Sequence, residues 1–164
     1  MPDCTIRPLA SDEEAQQCAA LMAVSDPWQT LGMDHAALLR MVRRPEREFY
    51  VAAVEAGLAG CIILNLNGPL VGYIQTVCVA SALRGQGYGS QLLAFAEERI
   101  YRDHANECLC VSAVNGAARA LYERLGYAQV GQLADFLVDG HAEILMRKTR
   151  GPISTYLPAA RACG

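Results

Sequence analysis

The stretch Arg84-Gly85-Gln86-Gly87-Tyr88-Gly89-Ser90 decides how this chain of 164 residues is read, because the residue pattern changes period across it. Before it, Val71 to Ala80 has strand character. After it, Tyr88, Leu92, Leu93, Ala96 and Ile100 recur at helical spacing, with Glu97, Glu98 and Arg99 largely off that face. A strand, a glycine-rich loop and a helix in that order suit an anion. Glycines let the backbone approach a ligand closely, and the free amides and dipole of a helix N-terminus favour a phosphate. A dinucleotide fingerprint requires a third glycine where Ser90 stands, and a Walker loop requires Gly-Lys-Ser/Thr after four spacers, so neither motif fits.

Upstream, Thr5 to Pro8 reads as a short first strand, with Pro8 suited to an edge or a strand end. Ser11 followed by Glu14 is a capping box opening a helix that buries Ala15, Cys18, Ala19 and Met22. A second helix beginning at Asp34 buries Leu38, Leu39 and Val42 and must end before Pro45. Phe49 to Val54, Ala59 to Leu66 and Val71 to Ala80 form an antiparallel meander, turned at Gly57 and at Asn67-Gly68. Downstream, Cys108 to Ala113 is a buried strand, and Ala117, Leu121 and Leu125 set the apolar stripe of a last helix closed by Gly126. Strands Gln129 to Val138 and Ala142 to Arg147, joined at Asp139-Gly140, complete one domain over residues 1–150, with 151–164 as a C-terminal tail.

The segment Asn115-Gly116-Ala117-Ala118-Arg119-Ala120-Leu121-Tyr122-Glu123-Arg124-Leu125-Gly126-Tyr127 follows the glycine loop by about 30 residues. With it, the chain resembles the GNAT superfamily of N-acetyltransferases. Arg84, Gly87 and Gly89 meet that family's Arg/Gln-x-x-Gly-x-Gly/Ala signature, and the later segment looks like its second helix motif. The resemblance covers roughly residues 5 to 148. It implies an α/β (α+β) fold with a mixed, mostly antiparallel sheet of about seven strands, flanked by about four helices and splayed at an acetyl-CoA site.

By this resemblance acetyl-CoA is the cosubstrate, with no metal, and the acetyl group passes directly to a primary amine of a small molecule or of a peptide or protein. The pyrophosphate would lie on the loop Arg84, Gly85, Gln86, Gly87, Tyr88, Gly89 and Ser90, and the pantetheine arm would pair with Val77, Cys78 and Val79. Asn115 would contact that arm, and Tyr122 would protonate the departing thiolate. Both also have structural readings, since Asn is a good helix N-cap and a helix tyrosine can simply pack. The alternatives are an acyl-CoA-binding module without turnover, or a transferase for a different acyl-CoA.

Where relatives often place a Glu as base, this chain holds Tyr73 and Cys110, neither of them a carboxylate; Glu48, Asp135 and Glu143 remain as candidates, and the base is unassigned. For the acceptor pocket the candidates are Asp26, Trp28, Tyr50, Asn65, Asp135, Phe136 and His141, a mix that suits a cation better than an anion. Gln75 can position the amine or a water.

A net charge of -3 argues against nucleic acid or an anionic membrane as partner but leaves room for a local basic patch; a homodimer is also compatible with the sequence. No apolar run reaches the roughly 18 residues of a membrane span, and the N-terminus lacks a secretory pattern, so a cytoplasmic protein is expected. The seven cysteines lie mostly in apolar runs and read as reduced core residues. Intact mass after denaturing alkylation without reductant should show all seven thiols modified, and a species lighter by two hydrogens per pair would contradict this.

Overall fold

The computed structural model describes residues 3–156. Its strands are β1 (Thr5–Pro8), β2 (Glu48–Val54), β3 (Gly57–Asn65), β4 (Tyr73–Val79), β5 (Asn106–Ser112), β6 (Ala128–Ala134) and β7 (Ala142–Thr149). The helices are α1 (Asp12–Ala23), α2 (His35–Val42), α3 (Tyr88–Ile100) and α4 (Gly116–Arg124). The strands form one 7-stranded sheet in the order β1-β2-β3-β4-β5-β7-β6. β1–β2, β2–β3, β5–β7 and β6–β7 are antiparallel, while β4 and β5 are parallel over only two register pairs, Tyr73↔Cys108 and Ile74↔Leu109. Among the described residues no helix is long and apolar enough to cross a membrane.

The chain divides into two compact units, one running to Leu64 and resuming over Gln75–Ala96, the other taking Asn65–Ile74 and the chain from Glu97 onward. In the first unit, α1 contributes Ala15, Cys18, Ala19 and Met22 and α2 contributes Leu38 and Val42 to a core shared with Val51, Cys61, Ile63 and Cys78 of the sheet. Met22, Leu38 and Ile63 are fully buried, each such side chain contributing roughly 1.5–3 kcal/mol. Leu39, expected in the core, is half-buried because it lies to the side of the Leu38–Val42 stripe. Ser11 Oγ caps α1 by accepting from Glu14 N at 3.2 Å. The carboxylate of Glu14 does not close the box on Ser11; it takes Ala10 N at 2.9 Å and the guanidinium of Arg7. Asp34 caps α2 through Ala37 N at 2.8 Å.

β3 and β4 approach unusually closely at Gly60, where a Cβ would lie 2.4 Å from the carbonyl oxygen of Cys78. A side chain there would have to push one strand off the other.

The second unit corrects three expectations. Asn67-Gly68 does not make a two-residue hairpin; the connection runs over residues 66–72, and β4 starts at Tyr73 because Gly72 turns the chain at φ +82. Gly72 is irreplaceable in that position, since a Cβ would sit 2.0 Å from Asn106 O. β6 ends at Ala134, four residues early, because Asp135 takes φ +51 and its Oδ1 accepts Gly140 N at 2.7 Å, closing a loop on itself. Along α4, Ala117 is exposed and Leu121 and Leu125 are only half-buried.

Glu107 is fully buried on β5. It shares a face with Leu109 and Val111, and its Oε1 accepts the hydroxyl of Tyr127 while Oε2 has no partner among the described residues. Burial raises its pKa to about 7, with Glu97 adding to the rise and the Tyr127 hydrogen bond, Lys148 and Arg150 opposing it. Because the folded-state value lies above the ordinary 4.5, the folded protein holds this proton more tightly than the unfolded chain. Stability is therefore complete below about pH 4.5 and falls as pH rises towards 7, by roughly 3 kcal/mol from two to three pH units at about 1.4 kcal/mol each. Denaturant unfolding should show Glu107→Gln gaining that much on the parent between pH 4.5 and pH 8, and a pH-independent difference would refute it.

Candidate functional site

In the first unit, β4 alternates cleanly: Ile74, Thr76 and Cys78 are buried, while Gln75, Val77 and Val79 are half-buried on the other face. After Val79 the chain makes a 3-10 turn over Ser81–Leu83 and a loop in which Gly85 and Gly87 take φ +75 and +97, angles at which a side chain would be strained. The first hydrogen bond of α3 runs from Gln91 N to Gly87 O at 3.1 Å. The amides of Tyr88, Gly89 and Ser90 therefore precede the helical ladder, and the first turn of α3 carries no acidic side chain to compete for them.

The loop is held by its own side chains. Arg84 donates through Nε to Val79 O and through Nη2 to Ser25 Oγ, both at 3.2 Å. Ser25 Oγ in turn donates to Leu21 O at 3.0 Å, and Gln86 Nε2 reaches Ala82 O at 3.2 Å. The guanidinium of Arg84 thus ties the end of β4 to the chain just past α1. Cys78 is pushed up to about 11 by burial, against the lowering effects of Ser25 and Arg84, so it is a thiol at neutral pH.

The second unit gathers a different set. Tyr73, Cys110 and Glu143 lie on one face of β4, β5 and β7 by register, Glu143 opposite Ser112 and Tyr73 opposite Cys108. Glu143 is 7% exposed. Burial raises its carboxyl above the usual range, with His141 opposing; Tyr73 and Cys110 are also raised, first by burial, with Glu143 adding to each. Asn115 caps α4, its Oδ1 accepting Ala118 N at 3.1 Å. Tyr122 is half-buried and meets the Tyr127 ring edge-on at 5.8 Å. Burial raises its phenol, and among the described residues its hydroxyl makes no hydrogen bond.

The remaining acceptor-side candidates scatter. Trp28 belongs to the core of the first unit, Asp26 Oδ1 accepts from Thr30, and Tyr50 donates to Glu48 at 2.5 Å while meeting Phe95 edge-on. Asn65 is half-buried, and Asp135, Phe136 and His141 lie on exposed loop positions.

A family model described as "Acetyltransferase (GNAT) family" matches residues 11–127. The chain belongs to this family.

N-alpha-acetyltransferase 30 of Saccharomyces cerevisiae (strain ATCC 204508 / S288c) is 33% identical over 79 residues, 45% of each chain. Acetyltransferase Atu2258 of Agrobacterium fabrum (strain C58 / ATCC 33970) is 36% identical over 76 residues, 42% of this chain and 55% of that one. The chain thus matches about half the length of these curated relatives. Among solved structures, an aminoglycoside 6'-N-acetyltransferase complexed with coenzyme A superposes with TM-score 0.75 at 19% identity, over 90% of this chain and 98% of that one. The ribosomal-protein-S18-alanine N-acetyltransferase from Escherichia coli gives 0.72 at 18%, over 94% and 99%. At such identities the likeness is one of fold, here the open GNAT sheet with four helices.

Three features of this GNAT chain escaped the sequence reading: buried Glu107, the cavity beside Gln75 described below, and the burial of Glu143. Glu107 had a signal, its two-residue spacing from Leu109 and Val111 on a strand. Gly89 is not among the positive-φ glycines, so aspartate is tolerated there by the backbone and favoured by the helix dipole. In Gly89→Asp, calorimetry should show CoA binding weakened about tenfold or more by repulsion of phosphate, with the melting temperature held or raised. Unchanged affinity in that folded variant would detach the loop from the phosphates.

Proposed function

We propose that this GNAT chain is an acetyl-CoA-dependent N-acetyltransferase acting on a primary amine. The observation that carries the reading is the uncapped start of α3, where a glycine loop of fixed shape offers consecutive amides to an anion. The pyrophosphate is held by the amides of Gln86 to Ser90, with Arg84 acting through the loop it braces. The half-buried face and edge of Val77–Val79 take the pantetheine arm, whose thioester supplies the activated acetyl group. Asn115 adds a contact to that arm.

Glu143 is the base. A buried carboxylate with raised pKa takes the proton of an ammonium group, directly or through a water, more readily than an ordinary surface Glu. The neutral amine then attacks the thioester carbonyl. Tyr122, kept protonated through neutral pH by its raised pKa, supplies a proton to the departing thiolate. Burial raises the thiols of Cys78 and Cys110, which favours direct transfer over a cysteine-bound intermediate. Six free cysteines among the described residues suit a reducing cytoplasm, Cys163 lying outside those residues.

Glu143→Gln and Tyr122→Phe should each lower kcat by roughly 10²-fold, with CoA affinity within a few-fold. Because Glu143 must be ionised and its pKa is raised, the parent's rate should fall on the acid side at a pH above ~4.3, the usual glutamate value. Glu143→Gln should lose that limb. Thiol release from acetyl-CoA across a panel of amines provides the assay, and near-parental rates in either variant would remove that residue from the mechanism.

A further inference from the structure

Within the first unit, Met33, α2 and the turn after it border an open pocket of about 390 Å³ against Gln75 of β4. Its walls are apolar at Met33 and Met41, and its charges are Arg40, Arg44 and Arg47; no carboxylate lines it. Three guanidinium groups converging in a protein of net charge -3 are a local feature rather than a general surface property. Arg40 stands in the last turn of α2, and Arg44 follows just after the helix ends at Val42. The carboxylate nearest Arg44 is Glu46, at 3.4 Å with both side chains 55% exposed. Such a pair is worth little.

Two buried polar atoms at this cavity, Arg47 Nε and Gln75 Oε1, have no hydrogen-bond partner among the described residues. Leaving buried groups unpaired costs roughly 1–3 kcal/mol each, so a bound ligand that satisfies them gains by it. Their chemistry is complementary: the arginine Nε–H requires an acceptor, and the amide oxygen requires a donor. A molecule carrying both an anionic oxygen and an N–H answers both at once. Burial and the neighbouring Arg44 lower the pKa of Arg47, with Glu46 opposing. Gln75 also fixes where this happens along the strand. It precedes Val77 by two residues, about 7 Å along the strand.

We propose that this cavity seats the carboxylate of the acceptor, a small amino-acid-like amine, with Arg47 and its neighbours on the anion and Gln75 Oε1 on an N–H. The assignment rests on the acetyl-transfer reading and reverses the cationic preference suggested by the acidic and aromatic residues of the sequence. Met33 and Met41 pack against the methylenes between the two polar ends.

The test uses ω-amino acids of three to six carbons, each paired with its uncharged amide, and O-phosphoethanolamine with ethanolamine as the phosphate pair. Acetyl-CoA-dependent thiol release should favour one or more carboxylates over the matching amides by at least about tenfold in kcat/KM. Arg47→Gln should abolish that preference, read as the acid-to-amide ratio of kcat/KM within each variant, and Arg47→Lys should restore part of it. Equal use of acid and amide, or preference for the phosphate compound, would overturn the carboxylate assignment while acetyl transfer stood.

A second measurement does not require turnover. The N-acetylated ω-amino acids should slow phenylglyoxal labelling of the Arg40 and Arg47 peptides in the parent protein, read by mass spectrometry, and the N-acetylated amides should not. Labelling unaffected by either would sink the cavity as an anion site. Protection without any amine turnover would instead support the site and count against acetyl transfer.

Discussion

β3 and β4 touch at Gly60, where the carbonyl of Cys78 occupies the space that any side chain would need. That contact fixes the placement of β4 against the helical layer of its unit, since Cys61 and Ile63 beside it in β3 and Cys78 in β4 pack into the same core as Met22 and Leu38. Everything chemically interesting in the first unit hangs from this one strand. Gln75 faces the arginine cavity, Val77 and Val79 present the opposite alternation to the core, and the glycine loop leaves from the strand's end.

The two units distribute charge in contrasting ways. The first gathers guanidinium groups around a cavity without carboxylates, whereas the second buries two carboxyl groups, Glu107 and Glu143, in its strands. These two acids have separate environments. Glu107 is fully enclosed, tethered to Tyr127 and near Lys148 and Arg150, an arrangement that stores strain against ionisation. Glu143 sits on the opposite face of the sheet with Tyr73 and Cys110, near a strand end and next to a loop. An acid placed in that way can exchange protons, and one placed like Glu107 mainly shapes the pH range in which the fold is stable.

What the sequence made legible is what local chemistry decides. Ser11 and Asp34 cap helices as their side chains suggest, the α1 and α3 stripes bury the residues their period selects, and the glycine loop precedes a helix. The failures were through-space. Asn67-Gly68 has hairpin chemistry, yet the chain needs five further residues to bring Gly72 against Asn106. Asp135 reads as a strand residue until its carboxylate finds Gly140 N. The arginines are visible as separate letters, but their meeting with Gln75 at one pocket depends on α2 and the turn after it lying beside β4, which no local pattern encodes. Likewise Glu143 looks like a strand-end surface acid until β5 and β7 pair around it.

Arg84, the one cationic side chain in the glycine loop, is turned inward to Val79 and Ser25, so the loop meets a ligand chiefly with main-chain N–H groups. Peptide amides neither gain nor lose protons in the range where Glu143 and a substrate amine titrate. On the proposed reading, recognition of the cosubstrate's phosphates is thereby uncoupled from acidity, while the transfer step follows it. The main chain also carries no allele: on that reading Gln86 and Ser90 can change identity without moving the amides, so phosphate recognition is written in backbone conformation and resists mutational drift more firmly than an acceptor preference set by side chains.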